Sequence, residues 1–306
     1  MLSRLLLILS LPLVVLCLLA PTAGWWFPGE LAASAALHAA FLLIPALIVW
    51  RRSTWIGGGL LLATLCGAMP SFLAAWEPRA PVATAADTAI TVACANTYLY
   101  NKREVRPAAI AAALEGTPDI VVLAESIASV DRPLVSLQTY PYQLWQPQLR
   151  RKWRDCVVLL SRFPITSSTV HDADTQPFLE AELDVAGKPL HIIAVHAMSP
   201  VNPAKLIERN AQLTDIGTLT ASLEGRVLLM GDCNLTVASP AWRTLRDRSG
   251  LRRAAQHEPA SWPDFFGPLG ITIDHIVGRD LALGPQTSFD IPGSDHRGLR
   301  GTIELR

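Results

Sequence analysis

Single polar residues close a series of apolar runs. Asn96 ends Ile90–Ala95, Glu125 ends Val121–Ala124, His196 ends Ile192–Val195, and Asp232 and Asn234 close Val227–Gly231. Asp274 and His275 fall inside Ile271–Val277, and Asp295 and His296 precede Leu299–Leu305. A rigid scaffold presents a reactive cluster in this way, at loop mouths beyond strand ends. The Asn, Asp and Glu oxygens are hard donors that suit Mg2+ or Mn2+ rather than zinc. Magnesium takes one or two carboxylates and fills its octahedron with water and substrate phosphate. Two histidines near carboxylates suit proton transfer to and from water or a leaving oxygen. The sequence holds no GxxxxGK loop, GxSxG elbow, GxGxxG turn or HExxH helix. The set points to metal-assisted hydrolysis by in-line attack on phosphorus.

Each residue alone also has a purely structural reading. Glu125 after an apolar strand can cap a helix, and Asp232-Cys233-Asn234 can be a turn, since Asp and Asn favour turns. His196 can be a hydrogen-bonded core histidine. Asp274 inside an apolar strand is harder to dismiss, because a buried carboxylate needs a partner. The strength lies in the ordered set.

The elements that must position these residues alternate between strand and helix. Apolar runs predict strands at Ile90–Ala95, Asp119–Ala124, Cys156–Ser161, Leu190–His196, Arg226–Met230, Ile271–Val277 and Leu299–Leu305. Helical periodicity marks Arg103–Glu115, Ala204–Leu223 and Ser239–Arg248, the last with Pro240 in its first turn. Continuous apolar strands are buried on both faces and imply sheets covered by helices, a layered α/β architecture. No internal repeat appears.

The chain has 306 residues, 50% of them hydrophobic and 17% charged, with mean hydropathy +0.30. These values exclude a disordered chain, a coiled coil and a collagen-like repeat. The excess of apolar residues is local. From Met1 to Trp76 the only charged residues are Arg4, Glu30, Arg51 and Arg52. Apolar runs at Leu5–Ala20, Leu31–Trp50 and Ile56–Trp76 have the composition of membrane spans, which need roughly 20 residues for a core of about 30 Å. The first is short enough to be a signal peptide, but Pro21 spoils its cleavage region, which favours an uncleaved span. Arg4 and Arg51-Arg52 place Met1 and the second connector in the cytoplasm, so three crossings put everything after Trp76 outside it. Trp25, Trp26, Trp50, Trp55 and Trp76 fall at the span ends, where indoles prefer the headgroup region. Three regions follow: a membrane anchor over 1–76 that binds the lipid bilayer, a proline-broken linker over 77–88, and a catalytic domain over 89–306.

Net charge is +0 and the sequence pI about 7.0, so no overall basic field draws in nucleic acid. Arg150, Arg151, Lys152 and Arg154 form the nearest thing to a basic patch, either a solvated loop or a phosphate-steering one. The five cysteines form no CxxC pair; Cys94, Cys156 and Cys233 suit buried thiols in strands, not zinc ligands or disulfides.

The order of the pieces resembles the endonuclease/exonuclease/phosphatase superfamily, the fold shared by DNase I-like nucleases, inositol phosphatases and neutral sphingomyelinases. The matching stretches are Thr91–Asn96, Pro118–Glu125, Leu159–Ile165, His196 followed by Pro200, Gly231–Asn234, Ile273–Ile276 and Ser294–His296. They span roughly residues 88 to 306. The resemblance implies a two-sheet α/β sandwich, here preceded by transmembrane helices as in a bacterial membrane-tethered subgroup. It implies Glu125 as principal ligand of Mg2+ (or Mn2+), with Asn96 and Asp295 completing or bordering the site. It implies His296 as the base that activates water, Asp274 as its orienter, and Asp232 and Asn234 as the pair handling nucleophile and phosphoryl oxygens. His196 is implied as a second phosphate contact or leaving-group acid. Many nucleases of the family carry Asp two residues after the first Asn; Tyr98 stands there in this chain and weakens a two-metal assignment. Cys233 replaces the usual large apolar residue of the Gly-Asp-x-Asn turn.

The expected function is a membrane-anchored, divalent-metal-dependent hydrolase of phosphate esters, located in a bacterial inner membrane with its domain on the periplasmic side. Its substrate would be a phospholipid, a nucleotide or a nucleic acid, and no obligate protein partner is evident. A nuclease proper is the alternative, disfavoured by the near-neutral charge. A catalytically inactive membrane binding protein is the other, and it would require a lost catalytic residue, of which Tyr98 is the single instance.

Overall fold

The computed structural model describes residues 2–84, 89–146, 156–172, 176–256 and 258–306. The basic run 150–154 and the end of the expected linker lie outside the described residues. By its internal contacts the chain forms two units. One comprises Met1–Glu77, Val201–Leu206 and Leu235–Thr244; the other comprises Pro78–Pro200, Ile207–Asn234 and Leu245–Arg306.

The first unit is built on three helices, α1 (Leu2–Leu19), α2 (Phe27–Trp50) and α3 (Thr54–Ala75). Segments at Ser3–Thr22, Phe27–Trp50 and Thr54–Ala75 are long and apolar enough to cross a membrane, with mean hydropathies of 2.6, 2.1 and 1.6. Ser53 starts α3, its Oγ accepting from the Ile56 amide at 3.3 Å. The helices pack through small residues: Cys17, Ala39, Ala40 and Ala63 line one shared cluster, with Leu43 and Leu60 between them. A methyl group at Gly67 would lie 2.5 Å from Cys17 Sγ and 2.9 Å from the Ala36 carbonyl, so only glycine permits this approach. Leu9, Phe41, Leu42 and Phe72 point outward and are exposed. Trp25, Trp26, Trp55 and Trp76 are also exposed, at helix ends. Within the same unit Ala238 packs with Ala20, Ala23, Ala33 and Ala36, and Trp242 Nε1 donates to Glu77 Oε2 at 3.0 Å.

The second unit is a sandwich of two mixed sheets. The first sheet contains β1 (Ile90–Asn96), β2 (Ile120–Ser126), β3 (Tyr142–Trp145), β4 (Cys156–Ser161), β10 (Leu281–Leu283), β11 (Thr287–Asp290) and β12 (Arg297–Leu305). Its order is β10-β12-β1-β2-β4-β3, with β11 on β12. The second sheet runs β5 (Ile165–His171), β6 (Phe178–Val185), β7 (Lys188–His196), β8 (Val227–Asp232) and β9 (Asp274–Arg279) in that order. The period of two in each strand divides the core. Val92, Cys94, Ile120 and Val122 face Leu179, Ile192, Ala194, Leu228 and Met230 between the sheets. The alternate residues Ala93, Ala95, Val121 and Leu123 pack against Ala109, Ile110 and Ala113 of helix α4 (Arg106–Leu114). One turn of helix, α5 (Ala128–Asp131), follows β2. The long helix α6 (Pro203–Ser222) ends against Arg279, whose guanidinium donates to the Thr220 and Leu223 carbonyls at 2.6 Å each. A cation there complements the helix dipole.

Part of the expected linker is bonded into this unit. The Ala80 amide donates to the Arg253 carbonyl at 2.8 Å, and the Leu283 amide donates to the Pro81 carbonyl at 2.8 Å. The cysteines are free thiols, with Cys94, Cys156 and Cys233 buried. Burial pushes Cys94 and Cys233 well above the usual thiol range, with Asp274 and Asp232 adding to it.

Candidate active site

Strand direction alone gathers the polar strand ends. β1 and β2 are parallel, so Asn96 and Glu125 emerge at one edge. β7 and β8 are also parallel, and His196 pairs directly with Asp232. β9 runs antiparallel to β8 and begins where β8 finishes, with Asp274 opposite Asp232. β12 runs antiparallel to β1, so the Asp295-His296 pair that precedes it arrives at the same edge.

Local geometry then aims the side chains. β2 is irregular between Leu123 and Ser126, and Glu125 there takes φ 55. A left-handed backbone at a non-glycine residue is strained and persists where surrounding bonds enforce it. The enforcing bonds are present: Glu125 Oε2 accepts from the Leu99 amide at 2.6 Å, and its carbonyl accepts from Arg106 Nη2 at 3.1 Å. In β8, a Cβ on Gly231 would lie 2.1 Å from the Val195 carbonyl, so the residue before Asp232 must be glycine.

Asp232 is the hub and is 1% exposed. Its Oδ2 lies 3.0 Å from Asn96 Nδ2, 3.2 Å from Asn234 Nδ2, 3.7 Å from His296 Nε2 and 4.0 Å from His196 Nε2. Its Oδ1 accepts from the Asn234 amide at 2.8 Å. Asn96 also donates to Glu125 Oε1 at 3.0 Å, while its own oxygen accepts from the Tyr98 amide. The amide nitrogen of Asn96, rather than its oxygen, therefore faces the carboxylates.

The two histidines are oriented differently. His296 Nδ1 lies 2.8 Å from Asp274 Oδ2, which leaves Nε2 toward Asp232. His196 Nδ1 lies 3.0 Å from the Gln176 amide nitrogen, which makes Nδ1 the acceptor and puts the proton on Nε2. That Nε2 lies 3.5 Å from Glu125 Oε1. Burial opposes charge on His296, but Asp274 and Asp232 outweigh it and push the imidazole up to about 10. Burial, reinforced by Asp274, pushes Asp232 up to about 6 against the pull of His296 and His196.

Asp232, Asp274 and His296 offer ligand atoms within 4.8 Å of one another, the one such group among the described residues. Asn96 adjoins it through Asp232, and Glu125 adjoins Asn96. Asp295 sits at the rim instead, its Oδ2 accepting from Trp262 Nε1 at 3.1 Å. His275 alternates to the other face of β9, where it lies 3.7 Å from Glu258. Burial opposes the Glu258 charge, yet His275 and Arg253 hold that carboxyl below its ordinary range.

Several supporting residues are invisible as site residues in the sequence. Arg106 and Asp131 form a buried bidentate pair at 2.8 and 2.6 Å. The same guanidinium donates to the Tyr98 carbonyl, the Thr97 hydroxyl and the Glu125 carbonyl. Ser261 Oγ accepts from the Ile273 and Asp274 amides at 3.1 Å each. Ser294 Oγ donates to the Asn96 carbonyl at 2.8 Å and accepts from the His296 amide. Arg209 Nη1 donates to the Asn234 carbonyl at 2.9 Å.

Two buried carboxylates with a third adjoining them, and one imidazolium among them, make an anion-rich donor set of hard oxygens. Such a set fits a divalent cation.

Solved structures share this fold. D. rerio TDP2 complexed with a single-strand DNA product is 16% identical, with TM-score 0.59, over 72% of this chain and 100% of that one. Sphingomyelinase C from Streptomyces griseocarneus is 18% identical, with TM-score 0.54, over 70% of this chain and 99% of that one. A double mutant of beta toxin from Staphylococcus aureus with bound magnesium ions is 16% identical, with TM-score 0.54, over 72% of this chain and 100% of that one. No curated protein sequence matches the chain. The family model described as Endonuclease/Exonuclease/phosphatase matches residues 94–296, which contain or border all the strand ends above, and the chain belongs to that family of phosphate-ester hydrolases.

Proposed function

We propose that this chain is a membrane-anchored, divalent-metal-dependent phosphodiesterase or phosphatase in which His296 activates the attacking water. The observation that supports the reading best is the convergence of Asp232, Asp274 and His296 within 4.8 Å, with Glu125 reached through Asn96. Glu125 and Asp232 would hold the cation, with Asp295 bordering it. A divalent cation there supplies Lewis-acid polarisation of a phosphoryl oxygen and stabilises charge in the transition state.

The chain's own groups account for the activation of the water. Asp274 fixes the His296 ring through Nδ1, and Nε2 takes a proton as the water oxygen bonds to phosphorus. The opposite P–O bond breaks, the His196 Nε2–H donates a hydrogen bond to the leaving oxygen as negative charge builds on it, and that oxygen takes its proton from solvent water. Asn96 and Asn234 hold the Asp232 carboxylate between them. The charge balance explains why base and cation belong together. With Asp232 and Asp274 unneutralised, the ring stays an imidazolium and has no lone pair to offer; once their charge is offset, it becomes a base.

The test is a substrate panel on the full chain in detergent with Mg2+, Mn2+ or EDTA. The panel holds bis-p-nitrophenyl phosphate, a phosphomonoester, plasmid DNA and sphingomyelin. Activity should require the cation, and His296→Ala and Glu125→Gln should each lose at least ~10²-fold in rate. Full activity in both variants rules out the assignment.

A further inference from the structure

The loop from Trp262 to Ile271 is closed by a stem. Ile271 N donates to the Trp262 carbonyl at 2.6 Å, and Trp262 N donates back to the Ile271 carbonyl at 3.0 Å. The stem is tied to the catalytic residues on both sides. Ser261, just before it, accepts from the Asp274 amide; Asp264 N donates to the Asp295 carbonyl at 2.8 Å, and Trp262 Nε1 donates to the Asp295 carboxylate. The tip, in contrast, presents apolar surface to solvent. Phe265, Phe266 and Leu269 are 75%, 55% and 71% exposed, and the two phenyl rings pack on each other with centroids 4.5 Å apart. Scattered exposed apolar residues need no explanation, but three within five positions, on a loop braced from the site side, mark a contact surface.

The rest of the chain says what covers it. Three helices of membrane length precede the domain. The last ends at Ala75, and by Ala80 the chain is already hydrogen-bonded to Arg253. Five residues reach at most about 18 Å, so only a short stretch of chain separates the end of α3 from the first residue bonded into the domain. Aromatic and leucine side chains are the types that enter the headgroup–acyl boundary.

We propose that the Phe265–Leu269 tip contacts the bilayer and seats the catalytic site on it, so that the substrate is the phosphate ester of a lipid headgroup. This rests on the phosphate-ester hydrolase reading of the site. It adds that the ester is presented from a membrane surface rather than from solution or from nucleic acid.

The test compares wild type with the Phe265→Ser/Phe266→Ser/Leu269→Ser variant, both as full chains reconstituted in vesicles. The vesicles contain phosphatidylethanolamine, phosphatidylglycerol and sphingomyelin, and soluble bis-p-nitrophenyl phosphate and plasmid DNA are offered in parallel. Lipid headgroup release should fall at least ~10-fold in the variant while hydrolysis of the soluble diester stays within about 2-fold. Equal rates on lipid, or an equal loss on both substrates, overturns the proposal. Wild type that cleaves the soluble diester or DNA but no lipid overturns it too and leaves the hydrolase reading standing. Wild type that cleaves none of them removes both. A second measurement does not depend on turnover: Phe266→Cys carrying an NBD fluorophore should be quenched by nitroxide lipids, and absence of quenching overturns the contact.

Discussion

His296 Nδ1 lies 2.8 Å from Asp274 Oδ2, and the same ring's Nε2 lies 3.7 Å from Asp232 Oδ2. One imidazole thus spans two buried carboxylates, with different duties. In the proposed reaction Asp274 would fix tautomer and orientation, while Asp232 would face the reacting side. Asp274→Asn keeps the shape but offers an amide to Nδ1, so the ring is free to turn and to adopt the other tautomer. Steady-state kinetics should show kcat falling by at least ~10²-fold with KM little changed. A variant with unaltered kcat would remove Asp274 from the mechanism.

The raised His296 value has a defined consequence for stability. Its protonated form is favoured in the folded state, from an ordinary 6.5 up to about 10. The stabilisation is complete below about pH 6.5 and is lost as pH climbs toward 10. Asp232 has the opposite sign: its carboxyl is pushed up to about 6, so its ionised form costs stability above that pH and the cost fades toward pH 4. In EDTA, the Tm of the catalytic domain should therefore decline between pH 7 and 10. In His296→Gln that decline should be much shallower. Parallel Tm profiles for the two proteins would contradict the electrostatic picture, and Mg2+ should flatten the wild-type profile by offsetting the carboxylates.

The strands that carry chemistry were legible for a physical reason. β2, β4 and β8, with Val92–Asn96 of β1 and Ile192–His196 of β7, are buried on both faces and so appear as largely apolar runs. β5, Ile165–His171, is largely exposed and polar and gives no such run. β6 does alternate, Phe178-Leu179-Glu180-Ala181-Glu182-Leu183, and its half-buried pattern was the signal available for it. β3, β10 and β11 have three or four residues, too few for any periodicity. Boundaries moved where tertiary bonds intervened. α4 begins at Arg106, where Pro107 suits the first turn, and Ile271 leaves β9 to pair with Trp262. Strand ends exposed the polar cluster, but not what supports it. Ser294 reaches the Asn96 carbonyl from 198 residues away, and no local pattern encodes that distance.

The Arg106–Asp131 pair is the clearest of those supports, since it holds both the Thr97-Tyr98 turn and the Glu125 carbonyl. Both side chains are buried, so removing one leaves a charge without its partner. Asp131→Asn should cost about 3–5 kcal/mol in thermal or denaturant unfolding. Arg106→Met/Asp131→Leu should regain much of that stability, because an apolar pair replaces a buried ion pair. It should not regain cation binding, since Glu125 has lost the donor that braces its strained backbone. A Mn2+ titration followed by relaxation of solvent water separates the two effects. Restored binding in the double variant would show that the pair serves stability alone.

Topology offers a prediction independent of the chemistry. Arg51 and Arg52 lie between α2 and α3, and Arg4 lies near the start of α1, whereas residues 20–26 between α1 and α2 contain no Lys or Arg. Lys and Arg close to span ends set orientation, so the expected topology has the Arg51-Arg52 turn in the cytoplasm and the chain after Trp76 on the far side. Tyr100 is 74% exposed and belongs to the catalytic unit. In intact cells, Tyr100→Cys should react with a membrane-impermeant maleimide, and a phosphatase reporter fused after Arg306 should be active. Glu at both 51 and 52 should weaken that preference and leave a fraction of molecules reversed. Labelling of Tyr100→Cys only after lysis would place the domain in the cytoplasm. It would then follow either that the orientation is reversed or that the three apolar helices do not each cross the membrane once.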